Sequence, residues 1–279
     1  MKYARVARLG LLSMILASGS VLAADAVIYN NDFPDGKVGS SSGSSNGVGT
    51  ETADDFSLSN LTQIKSGSFT GLIPQGASVT SVGIEIYRVF PLDSTNPPSP
   101  LVVPTRTNSP SDDAFQERSV SFTTSLLSNN AGTANSVINN ISPGLTGGEG
   151  GKNGQEVRFD FTVPNLTLPA DHYFFVPQVE LSNGTFLWLS APKPAGGEFG
   201  STAISPDLQA WVRNQNLDPN WLRIGTDIIG ADAGAQQYNM AFRLVGETVV
   251  VPEPTPIAML IAGLVAVAAW SQRKRAQAI

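Results

Sequence analysis

The residues best suited to chemistry in this sequence are aspartates that occur in two close pairs. Asp32 and Asp35 form the first pair, and Asp54 and Asp55 form the second. Carboxylate oxygens in loops suit Ca²⁺, which takes six to eight oxygen ligands in proteins. We therefore predict a calcium site in two short loops ahead of the first clear strands, without the spacing of an EF-hand. The alternative is that each carboxylate caps its own turn, so no cofactor is expected to be obligatory.

Two tryptophans supply a second candidate chemistry, which is the stacking of aromatic rings on sugars. Trp211 and Trp221 flank a polar stretch, residues 213–220, where both rings could be exposed. An exposed Trp is a contact residue with an apolar body and a polar N–H, so this pair predicts a glycan-binding site. The alternative is a place in the core, where large aromatic side chains usually lie. Trp188 is expected there, because it shares a strand face with Phe186.

Catalytic signatures are weak in this sequence. His172 is its single histidine, and it contains no cysteine, so a usual zinc site has too few nitrogen and sulfur ligands. Residues 39–43 match G-x-S-x-G, but that motif needs a preceding strand, a following helix and a histidine base. Two of the 23 acidic residues could serve a glycosidase, yet nothing marks one pair. We predict a non-catalytic protein, with a polysaccharide-active hydrolase as an alternative.

Apolar residues alternate with polar ones between positions 56 and 247, and this period predicts the β-strands that must position these groups. We expect strands near residues 64–72, 79–89, 120–122, 157–163, 172–181, 184–190, 221–224 and 238–244. Asn183-Gly184 predicts a hairpin, and residues 208–214 predict one or two helical turns. Stretches 40–49, 94–113 and 143–154 are rich in Ser, Gly or Pro and predict surface loops. The pattern indicates an all-β fold, an antiparallel β-sandwich of jelly-roll type.

The charge distribution restricts the class of partner. The net charge is −6, and six of the 17 basic residues lie in the two terminal segments, so the middle of the chain is more acidic than the total suggests. Nucleic acids and anionic lipids both select basic patches. The charge therefore disfavours nucleic acid as a partner and is compatible with neutral sugars or cations.

The first 23 residues have the three parts of a secretory signal peptide. Lys2, Arg5 and Arg8 form a basic start, residues 9–16 form an apolar stretch, and residues 20–23 offer small side chains for cleavage after Ala23. We expect residues 1–23 to be removed and residues 24–248 to fold outside the cytoplasm as one β domain. The alternative is an uncleaved anchor.

The C-terminal segment, residues 249–279, is predicted to hold a single transmembrane helix. An uncharged run, residues 257–270, is short for a bilayer crossing but can span with local thinning. The motif that precedes it consists of Pro252, Glu253 and Pro254, and the basic tail that follows consists of Arg273, Lys274 and Arg275. A basic cluster after such a run stays in the cytoplasm, which places the middle of the chain outside.

This order of motif, apolar helix and basic tail resembles the PEP-CTERM sorting signal of exported proteins in Gram-negative bacteria that make exopolysaccharide. Residues 31–36, 51–56, 168–174 and 221–227 resemble uncharacterised members of the same group. The resemblance implies an exosortase-type membrane protease as partner, which removes the tail and leaves the protein at the cell surface or outside after a transient stay in the inner membrane. We expect an envelope or matrix protein associated with exopolysaccharide. The alternatives are a carbohydrate-binding module that uses exposed Trp residues, a hydrolase, and, for the tail, a permanent anchor.

Overall fold

The computed structural model describes most of the predicted β domain. It covers residues 25–45, 47–95, 103–194, 196, 201–230 and 237–249, together with five helical positions between 260 and 270. The predicted signal peptide, the Pro252-Glu253-Pro254 motif and the basic tail lie outside these residues. Within the residues covered, no helix has the length and apolar character needed to cross a membrane.

The described part of the chain contains sixteen strands. These are β1 (Ala26–Asn30), β2 (Val38–Ser41), β3 (Gly43–Ser45), β4 (Val48–Leu58), β5 (Thr62–Ile73), β6 (Val79–Arg88), β7 (Gln116–Ser119), β8 (Ser121–Thr133), β9 (Asn135–Val137), β10 (Lys152–Leu168), β11 (Asp171–Leu181), β12 (Leu187–Ala191), β13 (Trp211–Asn214), β14 (Leu222–Arg223), β15 (Asn239–Met240) and β16 (Phe242–Thr248). A π-helical turn, Ile224–Ile229, follows β14.

The strands form two sheets. The first has the order β1-β16-β5-β12-β2-β9, with β10 and β8 continuing from β5 and with β15 beside β12. The second has the order β14-β13-β4-β11-β6-β7, with β3 beside β4. Only the short β2–β9 pair is parallel among the strand pairs of the described residues.

The two sheets pack face to face through aromatic side chains. Phe175 of the second sheet lies 5.8 Å from Phe161 and 5.0 Å from Phe242 of the first sheet, measured between ring centroids. Trp188 meets Phe175 edge-on at 5.8 Å. Each such pair adds about 0.5–1.5 kcal/mol to the free energy of burial. The all-β sandwich and the place of Trp188 in its core are therefore confirmed.

The second sheet is buried on both faces around strands β4, β11 and β13. On β11, Tyr173 and Phe175 point into the sandwich core, whereas Phe174 and Val176 join a second cluster on the outer face. Strands buried on both faces have continuous apolar runs instead of alternation, which matches the sequence of β11. Residues 109–112, Leu208 and Trp221 cover this face and are buried. Residues 109–112 therefore belong to the packed interior and not to the surface loop that the sequence predicts for 94–113.

Three predictions about local structure are wrong. Residues 40–41, 43–45 and 48–49 lie in strands β2, β3 and β4. Hydroxyls of this stretch find buried partners, such as Ser40 Oγ with Thr52 Oγ1 at 2.7 Å and Ser42 Oγ with the Pro177 carbonyl at 2.5 Å. Residues 208–214 end in strand β13, which pairs with β4. Asn183-Gly184 does not close a hairpin, since β11 and β12 belong to different sheets. Residues 182–186 instead cross between the sheets.

Strands β1 and β16 are antiparallel neighbours at one end of the sandwich. Ala26 lies opposite Gly246, and the Val249 N–H donates to the Leu61 carbonyl at 2.8 Å. The first and last strands of the domain therefore bring residues 25 and 249 to the same end of it.

Candidate functional site

The structure places both candidate sugar-stacking tryptophans inside the protein. Trp211 and Trp221 are each 1% exposed. Trp211 Nε1 donates to the Leu208 carbonyl at 3.0 Å, and Trp221 Nε1 donates to the Ser111 carbonyl at 3.1 Å, so both indole N–H groups are used internally. The prediction that these rings are exposed for a glycan is wrong, because the outer face of the second sheet has a core of its own.

The four aspartates of the predicted calcium site do not converge on one point in the described residues. Asp32 accepts hydrogen bonds from two hydroxyls of β5 at 2.7 and 2.8 Å, and Asp35 accepts one from Ser190 Oγ at 2.5 Å. Asp54 and Asp55 are in the middle of β4, not in a loop. Among the residues covered by the structure, no three His, Asp or Glu side chains could hold a metal together. The described residues therefore do not bring these four carboxylates into one group, and calcium binding stays a prediction.

Asp54 and Asp55 instead form buried hydrogen bonds on opposite faces of β4. Asp54 accepts the Met240 N–H at 2.8 Å. Asp55 Oδ2 lies 2.6 Å from His172 Nε2 and accepts the Leu208 N–H at 3.2 Å. Burial raises the pKa of both carboxyls above the usual range of aspartate, and the neighbouring Asp55 raises the pKa of Asp54 further. Both groups connect chain segments that are distant in sequence, which indicates a structural role.

The G-x-S-x-G match does not form a nucleophile elbow. Its central residue, Ser41, is the last residue of β2 and is buried. The chain continues into strand β3 and not into a helix, and the His172 ring is bound to Asp55. The segment has neither the geometry nor the base that serine catalysis needs.

A pair of glutamates that the sequence does not mark shares one tyrosine hydroxyl in the structure. Glu51 of β4 and Glu85 of β6 lie 3.2 and 3.1 Å from the same hydroxyl, that of Tyr87. Arg213 of β13 donates to Glu51 at 2.6 Å through Nε and to the Tyr87 oxygen at 3.0 Å through Nη2. Arg213 is directly opposite Glu51 in the register of the two strands, so the sheet itself positions this ion pair.

Proton counting shows how this glutamate pair is satisfied. A phenol has one proton to donate, so the Tyr87 hydroxyl cannot serve two ionised carboxylates at once. If Glu85 is protonated, it donates to Tyr87, which donates to Glu51, and Glu51 stays charged beside Arg213. The electrostatics agree, since burial and then the nearby charge of Glu51 raise the pKa of Glu85 to about 7.

The two glutamates have the composition of an acid–base pair, but they line separate depressions of the surface. Since each bonded carboxyl oxygen is about 3 Å from one hydroxyl, the two oxygens are at most roughly 6 Å apart, near the spacing in retaining glycosidases. Glu51 lines a depression of about 150 Å³. Glu85 lines another of about 310 Å³, which has no lining residue in common with the first. Within the described residues, the pair can hold and exchange a proton, but these depressions do not join around both carboxyls.

Local sequence could not reveal this glutamate site. Arg213 and Glu51 are 162 positions apart, and they meet only because β13 pairs with β4, in a stretch whose sequence predicts helical turns. Comparisons of the chain with protein-family models, with curated proteins and with solved structures found no match.

Proposed function

We propose that this chain is an exported, non-catalytic cell-envelope or matrix protein that an exosortase-type membrane protease sorts and that associates with exopolysaccharide. One observation supports this proposal above the others. Strands β1 and β16 are neighbours, with Ala26 opposite Gly246, so the predicted signal peptide and the predicted sorting segment join the domain at the same end. A domain attached to the membrane through that end would present its opposite end to the exterior.

The position of the last strand also suits removal of the tail. Strand β16 ends at Thr248, and the proline-rich motif begins four residues later at Pro252. Cleavage near that motif would leave the two-sheet domain with all of its described strands. The jelly-roll topology and the single tail helix are further parts of this proposal.

Intact mass of the protein from native cells and from the medium tests the sorting step. We expect a species that lacks residues 1–23 and the segment after about Pro252. A matched variant, Glu253→Ala, should keep the tail and stay with the membrane fraction. A wild-type species that retains residues 257–279 would mean a permanent anchor and would overturn the sorting proposal.

The Glu51–Glu85 pair favours one second candidate, a polysaccharide-active hydrolase. In that case, Glu85 is the general acid and Glu51 the carboxylate nucleophile or base, because their environments favour different protonation states. The test is release of reducing ends from a panel of polysaccharides. An enzyme of this kind would lose activity in both Glu85→Gln and Glu51→Gln, whereas no release by the wild type would leave the non-catalytic proposal standing.

A further inference from the structure

The outer face of the first sheet carries rows of hydroxyls that cross four strands. In one row, Val245, Ser66, Thr162 and Ser121 lie opposite one another on β16, β5, β10 and β8. In the next row, the order is Arg243, Ser68, Asp160 and Thr123. A shallow groove of about 310 Å³ lies over these rows, at the lower end of the range for small-molecule sites. Its floor is rigid, because hydrogen-bonded strands form it.

Arg243 is the distinctive residue of this groove. Its side chain is half-buried, and within the described residues its guanidinium makes no hydrogen bond or ion pair. The other arginine of this face, Arg158, is occupied, since its Nε lies 3.0 Å from Asp160 and 3.9 Å from Asp32. The groove therefore contains one planar cation whose five donors are available to a ligand.

The charges and hydroxyls together indicate the class of ligand. A guanidinium binds a carboxylate through two parallel hydrogen bonds, and serine and threonine hydroxyls can donate to and accept from the hydroxyls of a sugar. Asp160 and Asp32 lie on the same face, so a dianion such as phosphate would be repelled. Asp160 lines the groove but is paired with Arg158 at 3.0 Å, so a monoanionic sugar needs only Arg243 and the hydroxyls beside it.

We propose that Arg243 and the adjacent hydroxyl rows bind a uronic acid unit of an acidic polysaccharide. In this arrangement, Arg243 binds the carboxylate, Ser66 and Thr162 bind ring hydroxyls, and Val245 contacts the apolar face of the sugar. The inference rests on the proposed association with exopolysaccharide and names its ligand. In this proposal the polysaccharide contacts a polar sheet face and not the buried tryptophans.

Binding of tetragalacturonic acid to the protein recovered from cells tests this inference by calorimetry. The methyl ester of the same oligomer is the ligand control, because it keeps the sugar rings and removes the charge. Arg243→Gln is the test variant. Arg118→Gln is its matched control, because it makes the same charge change on β7 of the second sheet, where Arg118 is bound to Gln116.

We expect the acid to bind, and its affinity to fall roughly ten- to a hundred-fold on esterification or in Arg243→Gln, as for one lost charged pair. Arg118→Gln should bind as the wild type does. Equal binding by Arg243→Gln, equal binding of the ester, or no binding of the acid would each overturn the inference. The outcome is independent of sorting, which intact mass decides separately, so the two proposals can fail separately.

Discussion

Replacement of Glu85 by glutamine should remove a pH-dependent loss of stability. Glutamine keeps the size of the side chain, and its amide N–H can donate to Tyr87 as a protonated carboxyl does. The folded protein holds the Glu85 proton up to a pKa of about 7, against 4.5 for an ordinary glutamate. Folding therefore takes up a proton between these values, so the wild type loses stability as pH rises through this window.

The size of the effect follows from the same difference in pKa. At about 1.4 kcal/mol per pH unit, the full difference corresponds to about 3 kcal/mol. Glu85 is only half-buried, and solvent screening lowers the expected effect to about 1–3 kcal/mol. The free energy of unfolding of Glu85→Gln, minus that of the wild type, should increase by this amount between pH 4.5 and 7.5 and stay constant above it.

Urea unfolding at a series of pH values measures this difference directly. The contributions of the other buried acids are present in both proteins and cancel in the difference. Glu156→Gln on β10 is the control, and its curve should run parallel to that of the wild type. A Glu85→Gln difference that does not change between pH 4.5 and 7.5 would refute the proton chain from Glu85 through Tyr87 to Glu51.

Three further predictions test the other assignments. Trp221→Ala should lower the free energy of unfolding by about 3–5 kcal/mol, measured in urea, and binding of glycans should be unchanged where the variant is folded. Asp54→Asn should raise the free energy of unfolding at pH 8, because the buried wild-type carboxyl must at that pH either keep its proton or carry a buried charge, and both cost free energy. Asp32→Asn should lower the free energy of unfolding, because it weakens the hydrogen bonds to two hydroxyls. The melting temperature should be the same with excess Ca²⁺ and with a chelator, because the described residues hold no group of three metal ligands. A rise of several degrees with Ca²⁺ would contradict this expectation.

The strands whose inward side chains are apolar could be predicted from the sequence. Strands β5 and β10 contain the predicted segments 64–72 and 157–163, and β6 contains the segment 79–89 except for its last residue, because a period of two in hydrophobicity reports one buried face directly. Strand β11 contains the segment 172–181, where a second apolar face is added to the first. Trp188 was assigned to the core by the same rule. The pairing of strands is harder to predict from the sequence than their positions, because a turn motif does not specify which sheet receives the next strand. The Asn183-Gly184 connection is an example.

Strand β4 could not be predicted because its inward residues are polar. Thr50, Thr52 and Asp54 are buried and share the inner face with Phe56, so a hydrophobic period is absent along half of the strand. Thr52 Oγ1 donates to the Ser41 carbonyl at 2.7 Å, and Asp54 accepts the Met240 N–H at 2.8 Å. Buried polar groups are tolerated where such partners exist, and these partners come from segments that no local pattern connects.

The polar interior also determines the direction in which pH acts on this fold. Acid denaturation usually follows from carboxylates whose pKa the native state lowers. Here burial raises the pKa of Asp54, Asp55 and Glu85, so each of these carboxyls opposes folding more strongly as pH rises through the range in which it ionises. Their sum favours stability on the acidic side of neutrality. These three buried carboxyls thus change stability in the same direction with pH, in a domain that we propose works outside the cytoplasm.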